Sequence, residues 1–242
     1  MHHNDHITLA IAGNPNCGKT CLFNNLTGAR QRVGNWPGVT VEQKHGTFSH
    51  RDTAYTVIDL PGTYSLTAYS IEEKVVEDFL HKDPPDIVIN IVDATNLSRH
   101  LVLTAELLCA GVPVILVLNM MDEARSQGLN IDVEKLGTLL DMPVVPMVAR
   151  VNTGTNELLA TVEEMVKNPR TPAARVDYGP DLERTLTRLI EVLPEAETTL
   201  PPRGRALALL SGAQPLDDDL RNSRVATALR EERNRIQRAH AA

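Results

Sequence analysis

The sequence predicts an α/β fold, a mixed and mostly parallel six-stranded sheet with helices on both faces, followed by a small all-helical domain. Three observations predict it. Short apolar runs alternate with segments of helical periodicity up to the stretch Asn168-Pro-Arg-Thr-Pro172. A glycine- and lysine-bearing loop joins the first apolar run to the first helix. Beyond that Pro-marked stretch the only remaining periodicity is helical, which places a domain boundary between residues 1–169 and 170–242.

The elements follow in order. Ile7 to Ala12 reads as the first strand, and Leu22, Phe23 and Leu26 mark the buried face of the helix after it. Val39 to Ser49 and Thr53 to Leu60 flank a turn-like segment and read as an antiparallel hairpin. Ser70-x-x-Glu73 has the capping-box pattern and opens a helix through Leu80. Asp86 to Asp93 and Val112 to Asn119 are near-continuous apolar runs, as strands buried on both faces require. Between them Leu101, Ala105 and Leu108 recur at helical spacing, and Met142 to Met147 supplies the last strand. Leu158, Leu159, Val162, Met165 and Val166 stripe the helix that covers the end of the sheet. In the second domain, Leu182, Leu186, Leu189, Ile190 and Leu193 form one stripe and Ala206 to Leu210 another. Leu216, Leu220, Val225 and Leu229 form a looser third, and Pro194, Pro201-Pro202 and Gln214-Pro215 separate the three.

Composition narrows the function classes. The 242 residues carry a formal net charge of −7 with 42% hydrophobic residues, a balance that suits a folded chain and excludes a generally basic nucleic-acid binder. No apolar run approaches the roughly 20 residues of a membrane-spanning helix, and the first residues lack the pattern of a secretion signal, so the expectation is a cytoplasmic chain. Cys17, Cys21 and Cys109 make an odd count without paired spacing, which points to a reducing compartment. Cys17 and Cys21 with His2, His3 and His6 lack the paired spacing of a metal site.

Chemistry enters with Gly13-Asn14-Pro15-Asn16-Cys17-Gly18-Lys19-Thr20, which matches G-x-x-x-x-G-K-[ST] between a strand and a helix. Loop amides and the helix N-terminus, through Cys21, then face phosphate groups. Lys19 brings a cation to the β- and γ-phosphates, and the Thr20 hydroxyl suits Mg²⁺. Asp59-Leu-Pro-Gly62 ends a strand, placing a second Mg²⁺ partner in Asp59 and an amide for the γ-phosphate at Gly62. Asn119-Met120-Met-Asp122 ends another. There a carboxylate can accept from the guanine ring N–H and exocyclic amine, a pattern adenine cannot present, so GTP is expected rather than ATP. Val148-Ala149-Arg150 is placed to offer a backbone amide to the guanine oxygen, although an ordinary strand-to-helix loop looks the same. Methionine at 120, where lysine is common, packs over the base without adding charge, which predicts modest affinity and quick release.

The order of these motifs defines a Ras-like P-loop G domain. The segments GNPNCGKT (13–20), RQRVGNWPGVTVE (30–42), DLPGTYSL (59–66), VDATNL (92–97) and LNMMDEA (118–124) closely resemble the N-terminal cytoplasmic region of FeoB-type bacterial ferrous iron transporters. The likeness is firm over about residues 7–170, and the helical remainder matches in kind.

The resemblance implies GTP hydrolysis to GDP and phosphate with Mg²⁺ held by Thr20, Thr40 and Asp59, and activation by K⁺. Gly34, Asn35, Trp36, Pro37, Gly38, Val39 and Thr40 would be switch I, a mobile loop over the nucleotide. Asn16, with the carbonyls of Gly34 and Trp36, would hold K⁺. Asn16 is also compatible with a plain turn, and Trp36 with a packing aromatic. Lys19, Thr40, Gly62 and, through K⁺, Asn16 would be catalytic. Thr63 and Tyr64 stand where Ras-like enzymes carry a water-orienting glutamine, so backbone groups would take that role, with Glu72 or Glu73 through water or else simply in a helix first turn. The implied partners are GTP, the transmembrane part of the same inner-membrane transporter, a small FeoA-type accessory protein and further copies of the chain, but no nucleic acid. The helical domain would be a spacer or a modulator of nucleotide dissociation. A soluble ribosome-assembly GTPase and a switch module without hydrolysis of its own are the alternatives.

Overall fold

The structure, a computed structural model, describes residues 6–28, 31–51, 53–66, 70–168, 178–194, 202–211 and 223–240. Leu216, Leu220, Gln214-Pro215 and the expected boundary at 169–170 lie outside them. The chain divides into two compact units, the first reaching residue 174 apart from Cys109–Gly111, and the second holding the remainder.

The first unit is a seven-stranded sheet ordered β2-β3-β4-β1-β5-β6-β7. Its strands are β1 (His6–Ala12), β2 (Gln31–Asn35), β3 (Glu42–His50), β4 (Thr53–Asp59), β5 (Ile87–Asp93), β6 (Val114–Asn119) and β7 (Val144–Pro146). β4, β1, β5, β6 and β7 run parallel, while β3 pairs antiparallel with β4 and β2 antiparallel with β3. The helices are α1 (Lys19–Thr27), α2 (Ile71–Lys82), α3 (Leu97–Ala110), α4 (Met121–Ser126), α5 (Val133–Leu140) and α6 (Thr155–Lys167).

The sixfold strand count is corrected by β2. Gln31 to Asn35, assigned no strand from the sequence and with Gly34 and Asn35 expected in a mobile loop, pairs along β3 from Gln31↔Gly46 to Asn35↔Glu42. All five residues are exposed, so an edge strand with nothing to bury leaves no alternation to read. A second correction concerns α3. The helix is where the spacing predicts it, but its buried stripe is His100, Leu103, Thr104, Leu107 and Leu108, with Leu101 and Ala105 only half-buried.

Two cores follow from the period of two along the strands. Leu9, Ile11, Ile89, Ile91, Ile115 and Val117 face Leu22, Phe23 and Leu26 of α1 and Leu158, Val162 and Met165 of α6. Ala10, Val88, Val92, Leu116 and Leu118 face Val75, Val76 and Phe79 of α2 and Leu103 and Leu107 of α3. α2 begins on the expected capping box: Ser70 Oγ accepts from the Glu73 amide at 3.1 Å, and the Glu73 carboxylate accepts from the Ser70 amide at 3.2 Å.

The second unit holds α7 (Pro180–Val192), α8 (Pro202–Ser211) and α9 (Arg224–His240), packed through Leu186, Leu189, Ala206, Leu209, Val225 and Leu229. One charged side chain enters this packing. Burial opposes the charge on Glu232, but hydrogen bonds from Arg188, Thr185 and Arg235, each 2.8 Å long, outweigh it and hold the carboxyl down to about 2. A depressed folded-state pKa stabilises above the unfolded value, near 4.5, and the contribution is lost as pH falls toward 2. Glu232→Gln is expected to cost roughly 2 kcal/mol at neutral pH. Urea unfolding of both chains between pH 7 and 2 checks this, because the gap must close as the wild type is acidified.

Candidate functional site

Parallel strands bring the motifs together. The loop after β1, the segment after β4, the turn after β6 and the loop after β7 all leave the carboxyl edge of neighbouring strands, where open α/β sheets bind ligands. β1 lies centrally among them, so residues 13–20 stand between the Asp59 segment and the Asn119 segment.

Close approaches fix the phosphate loop. Gly18 has φ +103°, and a Cβ there would lie 2.2 Å from Asn119 Nδ2, so both its conformation and its neighbour demand glycine. Asn119 donates to the Cys17 carbonyl at 2.9 Å and accepts from the Ala149 amide at 2.8 Å. Its side chain therefore ties the phosphate loop to the 148–150 loop. Lys19 Nζ donates to the carbonyls of Gly13 and Asn14, both at 2.9 Å, and burial pushes its pKa down. A Cβ on Gly62 would lie 2.8 Å from that ammonium, and the Thr63 amide donates to the Gly13 carbonyl at 3.4 Å. The Asp59 segment is thus docked on the loop beside its lysine.

Asn14 and Cys17 are buried in this loop and Pro15 and Gly18 half-buried, with Asn16 exposed at φ +64° and Cys21 exposed in the first turn of α1. The left-handed Asn16 backbone accords with a turn residue, and its side chain faces outward. Burial raises the Asp59 carboxyl, with the Lys19 cation acting against that rise. Among the described residues, five carry buried side-chain polar atoms without a partner, and three of these are Asn14, Asp59 and Asp122. Each such group costs about 1–3 kcal/mol when nothing pairs with it, so their gathering at one edge marks a site built to receive polar atoms from elsewhere.

For Mg²⁺ the residues fit: Asp59 Oδ1 is buried and unpartnered, and Thr20 and Thr40 are exposed. For K⁺ the fit is divided. The exposed Asn16 is suited to it, but the Trp36 carbonyl accepts from the Val39 amide at 3.2 Å and Gly34 lies in β2. Switch I is correspondingly not a loop throughout. Gly34 and Asn35 belong to the edge strand, Trp36 to Thr40 form a tight turn closed by the Trp36 amide on the Val41 carbonyl, and Trp36 is buried edge-on against Phe79. Trp36 in this conformation is a packing aromatic.

In the turn after β6, Met120 is half-buried with φ +62° and precedes α4, whose first turn carries Asp122. The amides of Val148 and Ala149, expected to be open to a guanine oxygen, are engaged with the Thr153 carbonyl and Asn119. Glu73 spends its carboxylate on the α2 cap, which accords with the helix-first-turn reading of Glu72 and Glu73.

Sequence reasoning missed Glu106. From α3 its carboxylate accepts from Ser65 Oγ at 3.0 Å and from the Leu66 amide at 2.5 Å, and Arg99 of the same helix stacks 4.6 Å over the Tyr64 ring. α3 thus grips the segment following Gly62. Nothing in the sequence around an ordinary helical glutamate signals a partner forty residues away.

The family model described as ferrous iron transport protein B matches residues 7–162, and that of the FeoB cytosolic helical domain matches residues 178–242. The chain belongs to the FeoB family. It is 42% identical over 210 residues to the Fe(2+) transporter FeoB of Salmonella typhimurium, covering 85% of this chain and 27% of that one. It is 41% identical over 217 residues to an Fe(2+) transport protein A/FeoB fusion protein of Porphyromonas gingivalis, covering 87% and 26%. The chain therefore spans about a quarter of the length of these FeoB relatives. Among solved structures, the cytosolic domain of T. maritima FeoB in apo form superposes with TM-score 0.79 at 35% identity, over 96% of this chain and 97% of that one. The GMPPNP form of the same domain gives 0.78 at 34%, over 96% and 98%. The architecture is that of a FeoB Ras-like G domain with its helical domain, and none of the described helices is long and apolar enough to cross a membrane.

Proposed function

We propose that this chain is the GTP-hydrolysing cytoplasmic end of a ferrous iron transporter of the bacterial inner membrane, with a G domain over 1–169 and a helical domain over 170–242. The observation that carries the reading is the set of unpartnered buried polar atoms of Asn14, Asp59 and Asp122 along the edge that holds the phosphate loop. Family membership supports iron uptake as the process served, and the ribosome-assembly alternative is not retained. The transmembrane part of the transporter, an FeoA-type accessory protein and further copies of the chain are the partners. An Fe(2+) transport protein A segment fused to one relative supports the second of these.

The residues divide the work. Lys19 exchanges its two carbonyl bonds for phosphate oxygens, and the amides of residues 13–21 other than Pro15, with that of Gly62, complete the cradle. Asp122 accepts from the guanine edge, Asn119 holds the loops that frame the base, and Met120, Val148 and Ala149 line it. Thr63 is buried and carries no carboxamide like that of the water-orienting glutamine, so backbone groups of switch I and of the segment after Gly62 orient the attacking water. Mg²⁺, held by Thr20, Thr40 and Asp59, would neutralise charge on the β- and γ-phosphates. Asn16 would hold K⁺ once the Trp36–Val39 turn opens to free the Trp36 carbonyl and the end of β2 parts from β3 to release that of Gly34, and K⁺ would supply the positive charge that an arginine supplies elsewhere.

Single-turnover GTP hydrolysis in potassium and in sodium tests this reading. The wild-type chain is expected to hydrolyse at least about tenfold faster in potassium, a fraction of what a full arginine contribution gives. Asn16→Ala should lose the difference while keeping GDP affinity within a few-fold. Equal rates in the two salts, or a potassium response that survives Asn16→Ala, would overturn the potassium assignment. Absence of any GTP turnover would overturn the enzyme.

A further inference from the structure

The carboxylate assigned to read guanine already has an occupant. Asp122 Oδ2 accepts from Arg150 Nη2 at 2.5 Å, joining the first turn of α4 to the short turn Ala149–Val151. A guanidinium presents adjacent N–H donors in one plane. The guanine edge presents its ring N–H and exocyclic amine in the same way, so two planar donor groups compete for one acceptor. The arginine satisfies only part of it: Asp122 Oδ1 remains buried without a partner. A base that engages both oxygens therefore displaces it. Arg150 is also free to leave, since its side chain is 65% exposed against 33% for Asp122.

We propose that Arg150 is a built-in surrogate for the guanine edge, closing on Asp122 as the base departs and yielding to it on entry, so that it weakens nucleotide affinity and promotes release. The proposal rests on Asp122 being the guanine acceptor. It gives a physical route to quick release that is independent of Met120. The usual strength of an exposed ion pair sets the effect at about two- to fivefold in affinity.

Arg150→Met keeps an unbranched aliphatic stem and removes the donors. GDP affinity and dissociation rate, followed with a fluorescent GDP at about 50 and 500 mM sodium chloride, give the primary readout. The variant is expected to bind about two- to fivefold more tightly, to release more slowly, and to lose this advantage in high salt. The same substitution in an Asp122→Asn background, read with xanthosine diphosphate, should change affinity by less than about twofold, because the guanidinium then faces only a neutral amide oxygen. Equal or weaker GDP binding by Arg150→Met would overturn the proposal, as would an unchanged gain in the Asp122→Asn background. Failure of the parent chain to prefer GDP over ADP is a distinguishable result, which overturns the guanine-site reading and this inference together.

Discussion

Asp122→Asn will lower the affinity for GDP and GTP by roughly 10² to 10³ and raise the affinity for xanthosine diphosphate above that for GDP. Guanine offers Asp122 two donors, and each charge-assisted hydrogen bond is worth about 1.5–3 kcal/mol, which sets the size of the loss. An asparagine amide presents one donor and one acceptor, which suits xanthine, whose C2 carbonyl replaces the amine of guanine. The turn that carries the residue should survive, because Asn119 bonds Cys17 and Ala149 without help from Asp122. Equilibrium titration with fluorescent GDP and xanthosine diphosphate checks both halves. A variant that loses both nucleotides equally would mean the substitution had damaged the loop, whereas retained GDP binding would remove Asp122 from the base site.

Lys19→Met is expected to weaken GTP binding by about 10³ and to abolish measurable hydrolysis. The ammonium is half-buried beside the Gly13 and Asn14 carbonyls and next to Gly62, so removing it takes away the charge that meets the β- and γ-phosphates in a low-dielectric place. Methionine preserves length and lets the stem keep its packing. Isothermal titration with GTP and with GDP separates the γ-phosphate from the rest, and the loss should be larger for GTP. If Lys19→Met binds GTP within tenfold of the wild type, the lysine does not engage the phosphates.

Much of the site was legible because nucleotide chemistry demands particular residue types at fixed spacing. Gly18 is required by its left-handed backbone and by Asn119 against it, so the glycine of the motif carries information about a neighbour far along the chain. The buried strands were equally plain, since β5 and β6 are packed on both faces and read as unbroken apolar runs. Legibility failed where side chains bury nothing or meet partners remote in sequence. β2 is exposed at every position, so its pairing with β3 leaves no hydrophobic pattern. Glu106 looks like any helical glutamate until the fold brings Ser65 and Leu66 to it. The shift of the α3 stripe onto His100 and Thr104 has a related cause: Thr104 Oγ1 donates to Asn90 Oδ1 at 2.6 Å, so a polar pair is buried where apolar periodicity looks only for leucines.

The sequence by itself determined six of the seven strands, the glycine- and lysine-bearing loop after the first of them, the acidic positions at neighbouring strand ends and the kinship with FeoB, because each depends on local spacing or on residue identity. Tertiary structure alone decided that Gly34 and Asn35 join a sheet edge, that Trp36 packs on Phe79, that α3 grips the segment after Gly62, and that Arg150 closes on the Asp122 carboxylate. Those outcomes rest on contacts between residues distant in the chain, whose energies depend on approach and orientation in three dimensions and leave no periodic trace in one.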